Sequence, residues 1–288
     1  MPEGHTLRRL AGELDAVFAG RVVRASSPQG RFETEAGQLD GSVLLRADSA
    51  GKHLFCGFEP DLVLHVHLGL IGHFDVHPGV AAVPPPVGQV RLRLVGPAPS
   101  ADDGVARASY ADLRGATVCE LVTPERQAAV VAGLGPDPLR TDADPERAWR
   151  RISRSPRPIG DLLLDQEVIA GVGNVYRAEV LFRARMHPLR PGRTLRVGQF
   201  RGLWTDLTAL MAEGVVTGRI DTVRPEHTAE AMGRPPRDDD HGGEVYVYRR
   251  TGQGCLVCGS RIRTEILAGR NLFWCPRCQP RFRSRAVQ

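Results

Sequence analysis

The stretch CLVCGSRIRTEILAGRNLFWCPRC, residues 255–278, decides how the C-terminal end of this 288-residue chain folds. It holds two Cys-x-x-Cys pairs, Cys255 with Cys258 and Cys275 with Cys278, separated by 16 residues. Pairs at this spacing are typical of a zinc site, because each pair contributes two thiolates and four thiolates complete a tetrahedron. Such a closed site leaves no open coordination position, so the zinc is expected to be structural.

The residues between the two pairs predict a β-hairpin. RIRTEIL (261–267) and NLFW (271–274) read as strands on either side of Ala268 and Gly269. Arg270 then lies close to the tip, where a guanidinium suits phosphate binding. A solvated turn residue is the alternative for Arg270.

Composition excludes several classes of protein. Hydrophobic residues make up 42% of the chain and charged residues 25%, which is ordinary for a soluble, folded protein. No run approaches the roughly 18 apolar residues of a membrane helix. The opening MPEGHTLRRL has no apolar leader, so we expect a cytoplasmic protein. A reducing compartment argues against the alternative of two disulfides in the cysteine module.

Charge is concentrated at the C-terminal end. Residues 243–288 hold nine Arg against two acidic residues, a net of +7, whereas the whole chain carries +5. A basic block on a body of net −2 (5 − 7) suggests a polyanion, most often nucleic acid. A solvated arginine-rich surface is the alternative.

The chain has a single lysine, Lys52, among its 38 basic residues. An ammonium can shift its pKa and transfer a proton, whereas a guanidinium does not deprotonate near neutral pH. Lys52 is therefore a candidate for proton chemistry, and chance survival in an arginine-biased composition is the alternative.

Four segments follow from the hydrophobic patterns. Residues 1–124 read as a helix, with Leu7, Leu10 and Leu14 at helical spacing, followed by short strands. Residues 125–222 predict four to six helices, and residues 223–243 a flexible linker rich in Pro, Asp and Gly. Residues 244–288 begin with a predicted strand, EVYVYRR, and end with the cysteine module. The fold class is therefore α+β and multidomain.

The segment QEVIAGVGNVYRAEVLF, residues 166–182, predicts a helix end, a glycine turn and a new helix. Gly171 and Gly173 let backbone N–H groups approach a ligand, and Asn174 suits an N-cap. Amides at a helix N-terminus bind phosphate without reading sequence. A purely structural helix–helix turn is the alternative.

The first residues, Met1-Pro2-Glu3-Gly4, are a candidate nucleophile and its partner. Removal of Met1 would leave Pro2 with a secondary amine, and an α-amino group titrates near 7.7–8.0, well below lysine. Such an amine attacks a sugar C1′ as the free base, and Glu3 can exchange the protons. The alternative is that Pro2 and Glu3 only begin a helix.

Taken in order, the MPEG opening, Lys52, HVHLGLIG (65–72), the 166–182 segment and the cysteine module resemble one family. This is the formamidopyrimidine-DNA glycosylase and endonuclease VIII family of DNA repair enzymes, with the actinobacterial endonuclease VIII branch most similar. The resemblance implies a two-layered β-sandwich with an N-terminal helix, a helix-two-turn-helix domain and a zinc finger. It implies damaged double-stranded DNA as partner, a monomer, and action at the nucleoid.

The resemblance also implies roles for individual residues. Pro2 matches the nucleophile, Glu3 the general acid and base, and Lys52 the β-hairpin lysine. His67, Asn174 and Arg270 match phosphate contacts, and Leu70 matches the wedge that fills the space of a flipped nucleotide. His53, His73 and His77 are expected to be structural or surface residues.

Departures from the family pattern bear on the substrate. Gly4, His5 and Thr6 stand where the formamidopyrimidine opening PELPE has LPE, and Gly115 directly follows Arg114, without an Arg-aromatic pair. Both favour the endonuclease VIII type, with oxidised pyrimidines (thymine glycol, dihydrouracil, 5-hydroxyuracil) as substrates and strand cleavage by β,δ-elimination. Gly69 and Ile71 match neither branch. One alternative is a formamidopyrimidine and 8-oxoguanine glycosylase, and another is a non-catalytic, zinc-dependent binder of damaged DNA.

Overall fold

The computed structural model describes residues 2–98, 107–238 and 243–282. The chain divides into two compact units, Met1–Gly133 and Leu134–Gln288. The finer boundaries expected near residues 125, 223 and 244 stay predictions. Within the described ranges, no helix is long and apolar enough to span a membrane.

The first unit opens with helix α1, Gly4–Phe18. Its three leucines at helical spacing, Leu7, Leu10 and Leu14, are buried, as the sequence predicts. Glu3 is the N-cap, and its carbonyl accepts a hydrogen bond of 2.9 Å from the Thr6 N–H. The helix therefore begins immediately after Glu3, which fixes the position of this residue.

Two antiparallel sheets follow α1. Their strands, with the short helix α2 (Glu33–Leu39), are β1 Arg21–Val22, β2 Arg24–Ser26, β3 Val43–Ala50, β4 His53–Phe58, β5 Leu62–His67, β6 His73–Val80, β7 Val90–Pro97, β8 Ala108–Arg114 and β9 Val118–Val122. One sheet has the order β1-β3-β4-β5-β9 and the other β2-β7-β8-β6. Apolar side chains of both sheets and of α1 form one core, which confirms the β-sandwich.

A buried ion pair lies inside the four-stranded sheet. Arg93 and Asp112 face each other across β7 and β8, joined by two hydrogen bonds of 2.6 and 2.7 Å. Arg114 donates to the same carboxylate at 2.9 Å, and Arg93 also donates to the Pro84 carbonyl at 2.6 Å. The pair therefore ties the proline loop to the sheet.

Helix α3 (Pro124–Gly133) closes the first unit, and the second contains α4 Pro145–Ile152, α5 Ile159–Leu162, α6 Asn174–Arg183, α7 Val197–Thr217, β10 Arg263–Leu267 and β11 Arg270–Trp274. Among the described residues, five α-helices and one 3-10 helix (Gly192–Thr194) thus lie between Pro124 and Thr217, in agreement with the helical patterns. Strands β10 and β11 form the predicted hairpin. One apolar core joins the helices to this hairpin.

The predicted strand at 244–250 is wrong. The backbone N–H groups of Tyr246, Val247 and Tyr248 donate at 2.7, 2.8 and 2.8 Å to the carboxylate of Glu179 in α6. Because one buried carboxylate takes all three amides, they are not available to a neighbouring strand. The run of four apolar residues at 245–248 thus reflects burial in the core of the second unit.

The segment expected to be a linker makes several contacts where it is described, and residues 239–242 lie outside the described ranges. The His227 ring lies 2.9 Å from the Tyr246 hydroxyl, and Arg234 contacts Glu244 at 2.5 Å.

We predict that Asp112→Asn destabilises the protein by about 3–5 kcal/mol, because it leaves a buried guanidinium without its counter-charge. Glu13→Gln, which removes one partner of the exposed Arg9–Glu13 pair, is the matched control. That change is expected to cost only about 0.3–0.5 kcal/mol. Urea unfolding of the two variants tests the difference, and equal losses would contradict it.

Candidate functional site

Two candidate catalytic residues lie at the start of α1. Pro2 is half-buried, and Glu3 is fully buried. Two residues later, His5 is buried as well, and burial lowers its pKa to about 4, so it is neutral at pH 7. The helix start therefore holds a carboxyl group and a neutral imidazole in fixed positions.

The third candidate, Lys52, lies in the turn between β3 and β4. Gly51 in the same turn has φ +57°, a left-handed conformation that glycine adopts without strain. Lys52 is half-buried, and α1 packs against both strands that the turn joins. Burial lowers the pKa of His53 and of His67, and the charge of Lys52 lowers both further. Lys52 thus lies close to two imidazoles.

A chain of hydrogen bonds starts at His53, which the sequence analysis treated as structural or surface. His53 Nδ1 lies 2.8 Å from His65 Nε2, and His65 Nδ1 lies 2.9 Å from Glu120 Oε1. The signal in the sequence is only the alternation His65-Val66-His67. The contact with His53 depends on strand register, which the sequence does not state.

His67 is fixed by the turn that follows it. Its Nδ1 accepts a hydrogen bond from the Gly69 N–H at 3.1 Å, and its carbonyl accepts from both the N–H and the hydroxyl of Thr117 at 2.9 Å. Because Nδ1 is an acceptor, the proton of the neutral ring lies on Nε2. His67 therefore has one N–H donor left for a ligand.

The turn after His67 presents two apolar side chains. Leu70 is 56% exposed and Ile71 is 82% exposed. A Cβ on Gly69 would lie 2.4 Å from Thr117 Cγ2, and one on Gly72 would lie 2.3 Å from the Leu68 carbonyl oxygen. The backbone of this turn is thus packed closely, and only the two side chains at its tip project. Sequence analysis named Leu70 alone, and the structure adds Ile71.

In the second unit, Asn174 is buried at the first turn of α6. The N-cap is Gly173, not Asn174, because Asn174 already has helical geometry and its side chain bonds elsewhere. Asn174 Nδ2 donates to the Asn271 carbonyl of β11 at 3.1 Å. The candidate phosphate-binding turn is therefore joined to the cysteine hairpin.

Arg177 makes the same connection and was missed by the sequence analysis. It is fully buried, and its Nη2 donates to Asn174 Oδ1 and, at 2.7 Å, to the Asn271 carbonyl. Arg177 lies one turn after Asn174 on an otherwise apolar helix face. A charged residue in such a position is the feature of the sequence that could have indicated its role. Arg177 orients the Asn174 amide by occupying its oxygen.

Arg270 is exposed and begins β11, directly after the tip residues Ala268 and Gly269. Ala268 has φ +50° and Gly269 φ +72°, which closes the hairpin tightly. The structure thus places Arg270 beside the tip, next to Asn271.

The four cysteines form a candidate metal site. The Sγ atoms of Cys255, Cys258, Cys275 and Cys278 all lie within 4.8 Å of one another. Tetrahedral zinc with Zn–S bonds of about 2.3 Å holds its sulfurs about 3.8 Å apart. The observed Sγ–Sγ distances of 3.9 and 3.4 Å fit this value. Among the described residues, this is the only cluster of three or more potential ligands of this kind.

Family models match most of the chain. The formamidopyrimidine-DNA glycosylase N-terminal domain matches residues 1–119, the formamidopyrimidine-DNA glycosylase H2TH domain matches residues 134–225, and the zinc finger found in FPG and IleRS matches residues 252–281.

Curated relatives match over nearly the full length. The chain is 53% identical to Endonuclease 8 1 of Mycobacterium tuberculosis, over 97% of this chain and 100% of the relative. It is 31% identical to the formamidopyrimidine-DNA glycosylase of Thermus thermophilus, over 97% of each chain. The fold is similar to that of Lactococcus lactis Fpg in complex with DNA containing an abasic site. That match has a TM-score of 0.75 at 25% identity, and covers 97% of this chain and 100% of that one.

We predict that removal of the metal unfolds the β10–β11 hairpin but leaves β3–β5 folded, because the cysteine ligands hold only the former. Hydrogen exchange after chelation should show lost protection at residues 263–274 and retained protection in the first unit. Cys258→Ser should lose the metal, whereas Cys119→Ala, a buried cysteine outside the cluster, should retain it. Full hairpin protection after confirmed metal loss would contradict this.

Proposed function

The chain belongs to the formamidopyrimidine-DNA glycosylase family of DNA repair glycosylases, and we propose that it removes oxidised pyrimidines from double-stranded DNA and then cleaves the strand. One observation carries the proposal. Pro2 and the fully buried Glu3 immediately precede α1, and α1 packs against the two strands whose turn holds Lys52, the only lysine. The 53% identity to Endonuclease 8 1 supports the pyrimidine branch.

The first chemical step is an attack by Pro2. Once Met1 is removed, the secondary amine of Pro2 forms a bond to C1′ of the damaged nucleotide, and the bond from C1′ to the base breaks. The departing base takes up a proton. An amine that titrates near 7.7–8.0 is available as free base at neutral pH, in contrast to a lysine near 10.4. The Pro2 nitrogen then loses its proton to Glu3, and the C1′–O4′ bond of the sugar ring breaks as O4′ takes that proton up. The product is an iminium between Pro2 and the opened sugar.

The second step cleaves the strand. The iminium acidifies the C2′ proton, a base removes this proton, and the C3′–O bond breaks in β-elimination. A further elimination breaks the C5′–O bond and leaves a one-nucleotide gap. Glu3 is placed to exchange these protons, and its burial at the positive end of α1 holds its carboxyl group in one position. Lys52 assists the proton transfers and binds phosphate.

The remaining candidates bind the DNA. The Nε2–H of His67, the Asn174 amide and the Arg270 guanidinium contact phosphates, which positions the duplex without reading its sequence. Leu70, with Ile71 beside it, enters the stack where the damaged nucleotide is flipped out, and so offsets part of the unstacking energy. Zinc, held by the four cysteines, supplies only structure, because it fixes the hairpin that carries Arg270.

A purine lesion is the second candidate substrate, supported by the 31% identity to formamidopyrimidine-DNA glycosylases. Against it, β8 ends at Arg114 and is followed by Gly115 and the small, buried Ala116. No large side chain stands there to fill the space opposite a flipped purine.

Borohydride trapping tests the proposal directly. We expect a covalent adduct on duplexes containing thymine glycol, for protein whose N-terminus is verified as Pro2. Pro2→Gly and Glu3→Gln should abolish excision while leaving DNA binding largely intact, because neither residue is proposed to supply affinity. An adduct on 8-oxoguanine alone would support the purine branch, and tight binding with no adduct would support a non-catalytic binder.

The role of Arg270 is tested by Arg270→Ala. We expect DNA affinity to fall about tenfold, which is about 1.4 kcal/mol, since one charge-assisted contact to phosphate is lost. Metal content should not change. Arg263→Ala removes the same charge from the exposed far end of the hairpin and serves as the control. Equal losses in the two variants would show that only net charge matters.

A further inference from the structure

A line of hydrogen bonds crosses three neighbouring strands of the five-stranded sheet. It runs from His53 on β4 through His65 on β5 to Glu120 on β9, with distances of 2.8 and 2.9 Å. His65 is 4% exposed, whereas the side chain of Glu120 is 51% exposed. One end of the line is therefore in contact with solvent, and the other adjoins Lys52 in the chain.

The hydrogen-bonding capacities of these groups fix the positions of the protons. The Glu120 carboxylate only accepts, so His65 Nδ1 carries the proton between them. In a neutral ring His65 Nε2 is then an acceptor, and His53 Nδ1 donates to it. His53 Nε2 is left with a lone pair. Burial lowers the pKa of His53 to about 4, so this ring is neutral at pH 7.

A metal shared by the two rings does not fit this geometry. Two nitrogens bound to zinc at about 2.0–2.1 Å in a tetrahedron lie about 3.3 Å apart. The observed 2.8 Å is instead an ordinary hydrogen-bond distance.

We propose that Glu120, His65 and His53 form a proton relay through which Lys52 exchanges a proton with solvent during the reaction. The inference rests on the proposed function, in which Lys52 takes part in proton transfer. Bound DNA would cover the turn that carries Lys52, whereas Glu120 supplies a path to solvent through the sheet. His53, His65 and Glu120 act through Lys52 and are therefore positioning residues.

The proton transfers of the relay can be written so that neither imidazole becomes charged. The Lys52 ammonium passes a proton to His53 Nε2, His53 Nδ1 passes one to His65 Nε2, and His65 Nδ1 passes one to Glu120. Lys52 ends as a neutral amine, Glu120 ends as a neutral acid, and both rings stay neutral as the other tautomer. The reverse transfer restores Lys52. Because burial disfavours an imidazolium at His53, a path through neutral tautomers is the one this site allows.

Other charged and titratable groups lie on the elements packed around His53. They include Lys52 in its own turn, His65 and His67 on β5, Glu120 on β9, Glu3 before α1, His5, Arg8, Arg9, Glu13 and Asp15 on α1, and Arg46 and Asp48 on β3. Arg8 and Asp48 bind each other at 2.7 Å. The Glu120 carboxylate is hydrogen-bonded to His65.

Glu120→Gln is the decisive variant, because the amide oxygen still accepts a hydrogen bond from His65 but cannot take up the proton. On duplexes with a preformed abasic site, we expect the single-turnover cleavage rate to fall at least about tenfold. This is less than the roughly 10²–10⁴-fold of losing a proton-transfer group outright. The dissociation constant for DNA should not change. Asp61→Asn removes a similar exposed carboxylate from the β4–β5 turn and should cleave like the wild type.

A second variant and a second readout separate a relay from a structural role. His53→Asn keeps an N–H donor toward His65 but lacks the second nitrogen, and should lose as much rate as Glu120→Gln. The double variant should be no slower than either, because both interrupt one path. Cleavage by these variants should speed up with the concentration of an imidazole buffer, which replaces the relay, whereas the wild type should not respond.

Wild-type cleavage rates in both variants would overturn the relay. Slower cleavage that is accompanied by weaker DNA binding or lower thermal stability, and that imidazole buffer does not restore, would overturn it as well. Failure of the wild type to form a borohydride adduct on any damaged duplex would instead contradict the proposed function.

Discussion

Helix α6 buries one positively and one negatively charged side chain. The hydrogen bonds that these two side chains make determine how the C-terminal segment of the second unit packs against the helix. Arg177 and Glu179 are both fully buried, and each makes hydrogen bonds to the backbone of the C-terminal segment. The guanidinium binds the Asn271 carbonyl, and the carboxylate binds three consecutive backbone amides at 246–248. A buried charge without partners would be strongly unfavourable. Each charge therefore fixes a different part of the C-terminal segment against the same helix.

In the first unit, it is strand register that fixes the positions of the polar side chains. Antiparallel pairing sets His65 opposite Glu120 and, on the other side, opposite Phe55, two residues beyond His53. A one-residue slip would move these side chains to the other face of the sheet. The arrangement of imidazoles near Lys52 is therefore a property of three strands together.

Much of the architecture could be predicted because its signals are local. The cysteine spacing predicts the cluster and the hairpin around Gly269, and the leucines at 7, 10 and 14 predict α1. The order of the sequence motifs along the chain indicates the family, and the comparisons confirm it. The errors are nonlocal. The strand expected at 244–250 depends on where Glu179 directs its oxygens, and Arg177 and His53 gain their contacts from residues far away in sequence. Such contacts cannot be predicted from a short stretch of sequence, because the contacting residues are far apart along the chain.

The close packing of the turn at 68–72 has a mechanical consequence. Its backbone has no room even for a methyl group at Gly69 or Gly72. In the proposed function, such a tip would enter DNA as a stiff body, and the duplex would have to deform around it. The energy of entry then varies with the local stiffness of the base steps, which is lowest where damage has already weakened stacking. Under that proposal, the tip would enter most easily where the duplex is soft, before any atom of the lesion is contacted.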